Sequence, residues 1–418
     1  AKNAEDRYQT AHGLEVDLKR CLDQWQNNHR VEPFALGGDD FTGRLQIPQK
    51  LYGRQSEIDQ LAAAYDRMVQ GNTELMYIAG YSGVGKTALV HEIRRDILVK
   101  GGVFIEGKLD QLQRTMPYSA WAQAFTQLVN NWLAESETRL ASWRETILEA
   151  VGDQGQILID IIPALEQIIG PQPEVPKLGG IESQNRFNYF FNRFINGLAT
   201  PEHPLVVFLD DLQWIDPASL NLIQSLLTVQ STSSLMIIGA YRNNEVGPDH
   251  PLTANQEKMR DEGKQVTIIT LQDLTPDDTN HMLADTLQLT AADCHELSQT
   301  LVDKTAGNPF YFRQQLYELE SEALLSFDRQ QHRWVWTEDV QQILQTGGNV
   351  IDLMISKIQT LPVESQHMLS MAACIGNRFK VSTLDTVTGR SGMDILSDLN
   401  PALQNGLIFR SNGNFAFV

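Results

Sequence analysis

Residues 80–87 read Gly-Tyr-Ser-Gly-Val-Gly-Lys-Thr, and this segment constrains the fold of the 418-residue chain more than any other. The spacing is the G-x-x-x-x-G-K-T pattern of a phosphate-binding loop. The apolar run Leu75–Ala79 before it predicts a buried strand, and residues 88–95 after it predict a helix. A strand, a glycine-rich loop and a helix in this order favour a bound triphosphate, because the loop amides and the helix N-terminus both attract an anion.

The loop residues are predicted to share the binding of a nucleoside triphosphate and Mg²⁺. Lys86 is expected to reach the β- and γ-phosphates, and the Thr87 hydroxyl is expected to bind Mg²⁺. The predicted nucleotide-binding residues of this segment are Gly80, Ser82, Gly83, Val84, Gly85, Lys86, Thr87 and Ala88.

Apolar runs alternate with helical patterns along residues 51–273. Predicted strands cover residues 102–107, 205–211, 234–241 and 265–271. Strands that alternate with helices indicate an α/β fold, a parallel sheet covered by helices on both faces. Residues 117–200 read as a helical stretch with a loop at 171–176. This is too long for an ordinary connection between strands, so it predicts a helical insertion.

Two adjacent carboxylates, Asp210 and Asp211, end the strand predicted at 205–211. Ionised carboxylates at the end of a buried strand need a partner charge. We expect this strand to lie beside the P-loop strand, with Asp210 binding Mg²⁺ and Asp211 orienting or deprotonating the attacking water. The alternative is that they cap the helix near Pro217, a role for which Asp216 is equally suited.

Two arginines are further candidates for the site. Arg242 follows the strand at 234–241, where a fixed cation can contact the γ-phosphate and stabilise developing charge. Its alternative is an exposed loop arginine. Arg54, in the segment Tyr52-Gly53-Arg54, is predicted near the base or the phosphates, and its alternative is a salt bridge to Glu57.

Pro309, in Gly307-Asn308-Pro309-Phe310, is the last candidate. Proline offers a flat apolar surface without an N–H group, which suits packing on an adenine ring. The alternative is a helix that begins at this proline. Arg186 is a weaker candidate for a position beside the nucleotide. A surface arginine is the favoured interpretation of this residue.

Composition bounds the function classes. Lys and Arg number 33 against 52 Asp and Glu, a net charge of −19, which disfavours nucleic acid and anionic membranes as partners. The length predicts two or three domains. The three cysteines, Cys21, Cys294 and Cys374, are expected to be buried free thiols. With no signal peptide and no run of 18 apolar residues, the expected location is cytoplasmic.

The remaining segments predict separate units. Residues 1–50 read as an amphipathic helix over 8–25 and an extended linker, and residues 274–348 as a helical domain with a small hairpin at 327–336. In residues 349–418, helices precede a hairpin, which suggests a truncated winged-helix domain. Because the chain starts at Ala and ends inside a predicted strand, we expect it to be part of a longer polypeptide.

Five ordered motifs resemble those of the STAND class of signalling ATPases, within the AAA-like P-loop branch. They lie at residues 52–57, 80–87, 209–220, 241–246 and 307–310. More narrowly, the chain is similar to the ATPase module of large bacterial kinases that also carry a Ser/Thr kinase, a sensor and a histidine kinase. Residues 5–14 resemble the segment that leaves the Ser/Thr kinase domain of those proteins, and residues 33–37 and 44–48 resemble their linker.

The resemblance implies a nucleotide switch. ATP and ADP would be the nucleotides, with Tyr52 and Pro309 among the binding residues. ADP would lock the nucleotide domain against the winged helix, whereas ATP would favour an open form able to self-associate. Partners would be the other domains of the same polypeptide, and hydrolysis would be slow.

Two other functions stay open from the sequence. The module could hold a nucleotide as a scaffold without turnover, although the paired carboxylates argue against this. It could also be a DNA-binding regulator, although residues 391–418 contain only Arg410 as a cation. Kinase motifs are absent from this segment, so it is not expected to phosphorylate proteins itself.

Overall fold

The computed structural model describes residues 8, 10–34, 36–37, 43, 45–111, 116–176, 178–228, 234–328, 331, 333–337, 340, 355, 358–376, 378–411 and 414–417. The chain divides into two compact units. The larger comprises Arg54–Gln272 with Ile351–Val418, and the smaller comprises Ala1–Gly53 with Asp273–Val350.

A five-stranded parallel sheet forms the centre of the larger unit. Its strands are β1 (Thr73–Gly80), β2 (Val103–Lys108), β3 (Leu205–Asp210), β4 (Leu235–Arg242) and β5 (Val266–Thr270). Their order across the sheet is β2-β3-β4-β1-β5, and every neighbouring pair is parallel. The prediction of an α/β fold with a parallel sheet is therefore confirmed.

The strand order corrects one prediction. The strand that ends in Asp210 does not lie beside the P-loop strand, because β4 lies between them and pairs with both. Strands β1, β3 and β4 are each buried along almost their whole length, whereas β2 and β5 are only partly buried. Continuous apolar runs identify the central strands of a parallel sheet, but they cannot order those strands among themselves.

Helices cover this sheet and form the insertion after β2. Those near the sheet are α2 (Gln55–Val69), α3 (Lys86–Val99), α9 (Pro217–Thr228) and α10 (Pro251–Asp261). The insertion contains α4 (Ser119–Leu133), α5 (Glu137–Val151), α6 (Gln156–Ile159), α7 (Glu166–Ile169) and α8 (Gly180–Leu198), with 3₁₀ turns at Gly152–Gln154 and Pro163–Leu165. Helix α10 was not predicted, because its sequence has few apolar residues and buries only Leu252, Gln256 and Met259.

Aromatic side chains hold the insertion together. In α4, the predicted core stripe of Trp121, Phe125, Leu128, Val129 and Trp132 is buried. The Phe125 ring lies edge-on to Phe191 of α8, with centroids 5.1 Å apart. These residues belong to the same apolar cluster as strand residues of the sheet, such as Tyr77 and Val207. The insertion is therefore packed against the sheet.

The C-terminal part of the larger unit has its own core. Its elements are α14 (Val363–Ile375), β8 (Arg378–Phe379), α15 (Val381–Thr388), α16 (Gly392–Gln404), β9 (Ile408–Ser411) and β10 (Asn414–Phe417). The three strands form an antiparallel sheet in the order β8-β10-β9. The predicted turn at Asn412-Gly413 and most of the helix predicted at 350–360 lie outside the described residues. The winged-helix assignment stays a prediction.

The smaller unit is mainly helical. It contains α1 (Ala11–Asn28), α11 (Pro276–Leu287), α12 (Ala291–Thr305), α13 (Pro309–Ser321) and a hairpin of β6 (Leu325–Asp328) with β7 (Arg333–Trp336). Gly307, at φ +76°, precedes α13, and a Cβ there would lie 2.3 Å from the carbonyl oxygen of Leu274. Only glycine fits this close approach of two main-chain segments.

Helix α1 has an unusual surface. Its side chains Leu14, Leu18, Leu22 and Trp25 are 42–59% exposed, whereas Asp17 is buried. The Asp17 carboxylate accepts hydrogen bonds from the Tyr8 hydroxyl and the Gly37 N–H, each at 2.7 Å. The helix predicted here is confirmed, but its apolar face is exposed, and the buried Asp17 bonds to Tyr8 and Gly37 of the same chain.

The cysteines correct a second prediction. All three are free thiols, but only Cys294 is buried, since Cys21 is half-buried and Cys374 is exposed. Cys374 lies in α14, whose buried side consists of Ser365, Met368, Leu369 and Ala372. A helix with a weak apolar periodicity does not reveal from sequence which way such a residue faces.

Candidate functional site

The P-loop connects β1 to α3 at the carboxyl edge of the sheet. Gly83 and Gly85 have φ angles of +79° and +100°, a region that side chains rarely adopt. Gly80 is confined as well, because a Cβ there would lie 2.8 Å from Val84 Cγ1. Helix α3 begins directly after Gly85, so its N-terminus and the loop amides form the anion-binding arrangement that the motif predicts.

Lys86 is buried at the first turn of α3. Its ammonium donates hydrogen bonds to the carbonyl oxygens of Gly80 at 2.9 Å and Tyr81 at 2.8 Å. Burial lowers the pKa of Lys86, and the charge of Asp210 partly offsets this effect. The ammonium is therefore held over the loop by main-chain groups, where it can exchange these contacts for phosphate oxygens.

Thr87 and Asp210 lie together, as a shared Mg²⁺ site requires. The Thr87 hydroxyl donates to Asp210 Oδ2 at 3.1 Å, and the other carboxylate oxygen accepts from the Asp211 N–H at 2.9 Å. Burial, followed by the nearby charge of Asp211, raises the pKa of Asp210. A hydroxyl and a carboxylate are the oxygen ligands that Mg²⁺ takes beside nucleotide phosphates.

Asp211 is buried, and each of its two carboxylate oxygens has a partner. Oδ2 lies 3.0 Å from Lys108 Nζ, and Oδ1 accepts from Gln213 Nε2 at 2.9 Å and lies 3.7 Å from Arg242 Nε. The residue has a left-handed backbone conformation, with φ 58°. A non-glycine residue in this region is uncommon and is found at functional sites, where the surrounding contacts hold it.

Arg242 ends β4 in register with Gly80 of β1. Besides Asp211, its guanidinium contacts Glu245 Oε1 at 2.9 Å and lies 5.5 Å from the centre of the Trp214 ring. The side chain is 31% exposed, so this is neither a buried structural arginine nor a free loop arginine. The sheet register brings a cation to the same edge as the P-loop.

Arg54 bonds to the main chain of the P-loop and of the segment that follows β5. It is buried, and Nη2 donates to the main-chain oxygens of Val84, at 3.4 Å, and Gln272. The alternative salt bridge is present as a longer contact, with 3.9 Å between Nη1 and Glu57 Oε1. Both interpretations of Arg54 thus describe part of its surroundings.

The two candidates of the smaller unit have local partners there. The Tyr52 hydroxyl donates to Asp285 Oδ2 at 2.8 Å, and burial raises the pKa of Tyr52. Pro309 is the first residue of α13, and the Asn308 side chain caps that helix by accepting from the N–H groups of Phe310 and Tyr311. This is the capping alternative for Pro309. Roles for both residues in nucleotide binding stay predictions.

Two other polar residues have structural roles. Asp216 caps α9, accepting from the Ser219 N–H at 2.9 Å and the Ser219 hydroxyl at 2.6 Å. Arg186 donates to the carbonyl oxygen of Pro176 at 2.8 Å. These contacts favour the structural alternative for each residue.

The sequence prediction missed two residues of the site, Lys108 and Gln213. Lys108 ends β2 in register with Asp210, and this register is the signal that could have found it. The strand prediction ended at residue 107, one position short. Gln213 lies in the 3₁₀ turn Leu212–Trp214, where its sequence context suggests only a turn.

Residues 50–238 match the AAA ATPase domain family. The chain is 28% identical to hybrid signal transduction histidine kinase G of Dictyostelium discoideum, over 97% of this chain and 14% of that protein. It is 19% identical to peroxide stress-activated histidine kinase mak3 of Schizosaccharomyces pombe, over 100% of this chain and 21% of that protein. The chain thus spans a small part of these relatives.

A solved STAND protein with a tetratricopeptide repeat sensor, from Pyrococcus horikoshii, aligns with a TM-score of 0.43 and 15% identity, over 89% of this chain and 42% of that one. The match to the AAA ATPase domain family covers residues 50–238, a little under half of this chain. The predicted resemblance to AAA-like ATPase modules of kinase-type signalling proteins is confirmed.

The described residues contain neither a membrane-spanning helix nor a metal site made of side chains alone. No helix there has the length and apolar character that a bilayer span requires. No group of three or more His, Cys, Asp or Glu side chains in the same residues is placed to hold a metal ion. A Mg²⁺ ion at Thr87 and Asp210 would accordingly depend on phosphate oxygens and water for its other ligands.

Proposed function

We propose that this chain, whose residues 50–238 carry an AAA ATPase domain, is an ATP-binding and ATP-hydrolysing switch module of a larger signalling kinase. The observation that carries the proposal is the hydrogen bond between Thr87 and Asp210. It joins the P-loop to the end of β3, although the two residues lie 123 positions apart in the sequence. The kinase context is supported by the relatives, which are histidine kinases.

The residues of the site would divide the chemistry among them. Lys86 would neutralise the β- and γ-phosphates, and Thr87 with Asp210 would hold Mg²⁺, which supplies charge stabilisation when bound. Asp211 would orient or deprotonate the attacking water. Arg242 would contact the γ-phosphate and stabilise the charge that develops as the bond breaks.

The surroundings of Asp211 support the proposal that hydrolysis is slow. Both of its carboxylate oxygens already have partners, Lys108 on one and Gln213 with Arg242 on the other. A water molecule would compete with these groups for the carboxylate. We infer that turnover needs a rearrangement at Lys108 or Arg242, which suits a switch better than a rapid enzyme.

The switch itself would depend on the third phosphate. Lys86 and Arg242 are the cations of this edge that would contact ATP more strongly than ADP, and a ligand shifts an equilibrium only by such a difference. We propose an ADP-bound closed state and an ATP-bound open state that self-associates. The alternative is a scaffold that holds nucleotide without turnover.

The first experiment is to denature the purified protein and identify any released nucleotide by ion-exchange chromatography. Stoichiometric ADP is expected and would mean that exchange limits activation. A single-turnover assay with radiolabelled ATP and Mg²⁺ then separates a switch from a scaffold. Bound ATP that stays intact over many hours would overturn the proposed hydrolysis and favour the scaffold.

A further inference from the structure

Gln213 connects the two strand ends on which the hydrolytic residues lie. It is buried, 3% exposed, directly beyond β3. Its side-chain Nε2 donates to Asp211 Oδ1 at 2.9 Å, and its Oε1 accepts from the main-chain N–H of Arg242 at 3.2 Å. One amide thus bridges the carboxylate after β3 and the backbone at the end of β4.

The chemistry of these two contacts requires an amide. The Asp211 oxygen needs a donor and the Arg242 N–H needs an acceptor, and a carboxamide provides both within one planar group. A glutamate would place a second negative charge against Asp211, and an apolar side chain would leave the N–H and the carboxylate oxygen without this partner. Glutamine is therefore matched to its two neighbours.

The main chain of Gln213 is held from a third element. Its carbonyl oxygen lies 3.0 Å from His250 Nε2, and His250 Nδ1 accepts from the Leu252 N–H at 3.1 Å. Because Nδ1 acts as an acceptor, the ring hydrogen belongs on Nε2, which donates to Gln213. The N-terminus of α10 accordingly fixes the backbone from which the amide extends.

We propose that Gln213 is a positioning residue for hydrolysis, which sets the Asp211 carboxylate relative to Arg242. The inference rests on the proposed ATPase function. Asp211 Oδ1 lies 3.7 Å from Arg242 Nε, and the amide holds this distance. The carboxylate that would act on water therefore keeps a fixed position relative to the guanidinium that would contact the γ-phosphate. Among the described residues, Gln213 bonds to Asp211, Arg242 and His250, none of which lies in the P-loop, so its removal should affect turnover and spare nucleotide binding.

Two substitutions test this. Gln213→Met keeps the side-chain size and removes both hydrogen bonds, and Gln213→Glu keeps the shape and replaces the donor with a carboxylate. We expect the single-turnover rate of bound ATP to fall about 10- to 100-fold in Gln213→Met, as for loss of a hydrogen bond to a charged group. The Kd for a fluorescent ADP analogue should change less than about threefold, because the P-loop contacts are intact.

The pH profile separates positioning from a purely structural role. Protonation of the new carboxyl in Gln213→Glu restores a donor to Asp211, so its rate relative to wild type should rise as the pH falls from 8 to 6. Gln256→Met is the matched control, since Gln256 is also buried in this unit and its Nε2 has no hydrogen-bond partner among the described groups. This control should hydrolyse ATP at the wild-type rate.

Each outcome gives a decision. Wild-type turnover in both Gln213 variants overturns the positioning role, as does a parallel loss of binding and turnover in Gln213→Glu without recovery at low pH. If Gln213→Met fails to fold, the relative recovery of Gln213→Glu decides alone. No turnover in the wild-type protein instead overturns the proposed ATPase function, and the positioning role falls with it.

Discussion

The phosphate half of the site and its carboxylate half are built from different groups. The phosphate half is residues 80–88, in which main-chain amides, two left-handed glycines and a helix N-terminus surround one lysine. The carboxylate half is Lys108, Asp210, Asp211, Gln213 and Arg242, whose side chains come from the ends of three strands and one turn. The first half is local in sequence, and the second exists only once the sheet has formed.

Under the proposed function, this difference would separate binding from turnover. Main-chain donors at a helix N-terminus favour any anion, so the phosphate half would provide affinity with little dependence on the side chains of the carboxylate half. The carboxylate half depends on distances between charged groups, such as the 3.0 Å between Lys108 and Asp211. Small shifts there change a rate more readily than an affinity.

Lys86→Ala should have the largest effect, because it removes the cation of the phosphate half. We expect nucleotide affinity to fall at least about 100-fold, with turnover lost as a consequence. Isothermal titration with ADP and Mg²⁺ measures this. The control is Lys100→Ala, an exposed lysine paired with Asp66, which should bind normally. Full binding by Lys86→Ala would contradict the assigned phosphate half.

Asp211→Asn tests the other half. We expect ATP to stay bound while the single-turnover rate falls about 10²- to 10⁴-fold, as for loss of a general base. A filter assay for bound ATP and a quench assay for released phosphate measure the two properties on one sample. Normal hydrolysis by this variant would remove Asp211 from the catalytic role.

Lys108→Met breaks the ion pair with Asp211 and leaves the carboxylate less well compensated. We expect the free energy of unfolding to fall by about 2 kcal/mol. This is less than for a fully buried ion pair, because Lys108 is partly exposed. Urea unfolding of this variant, of Asp211→Asn and of the double variant gives the coupling energy. Additive effects would show that the pair contributes no interaction of its own.

Gly239→Ala probes β4, the strand of the carboxylate half that pairs with the P-loop strand β1. A Cβ at Gly239 would lie 2.2 Å from Leu212 Cδ1 and 2.9 Å from the Tyr77 ring. We expect the free energy of unfolding to fall by about 1–2 kcal/mol, as when a packed core is overfilled. Thermal unfolding of the variant and the wild-type protein measures this change. Gly180→Ala is the control, since a Cβ there has open space and should be neutral. Equal stability of the two variants would mean that Leu212 yields without cost.

The sequence predicted the phosphate half in full, because its signal is a spacing within eight residues. It also predicted the five strands and both carboxylates, since buried strands are short apolar runs. The sequence did not predict contacts between residues that are far apart along the chain. The position of β4 between β1 and β3, the pair of Lys108 with Asp211 and the bridge by Gln213 depend on strand order and register, which apolar runs do not encode.

Helix α1 shows the same limit at the level of one helix. The spacing of Leu14, Leu18, Leu22 and Trp25 correctly predicts a helix, but these side chains are exposed and Asp17 is buried. Periodicity identifies two faces of a helix. Which face is covered depends on the surrounding chain, here the Tyr8 hydroxyl and the Gly37 N–H.

The Arg242 guanidinium above the Trp214 ring gives the site an optical signal of its own. Indole emission responds to a nearby positive charge, and this charge lies 5.5 Å from the ring centre. A nucleotide that draws Arg242 towards its γ-phosphate would change the emission of Trp214, whereas ADP would not. In a variant whose other tryptophans are replaced by phenylalanine, the emission of Trp214 would report the bound nucleotide in real time without an added label.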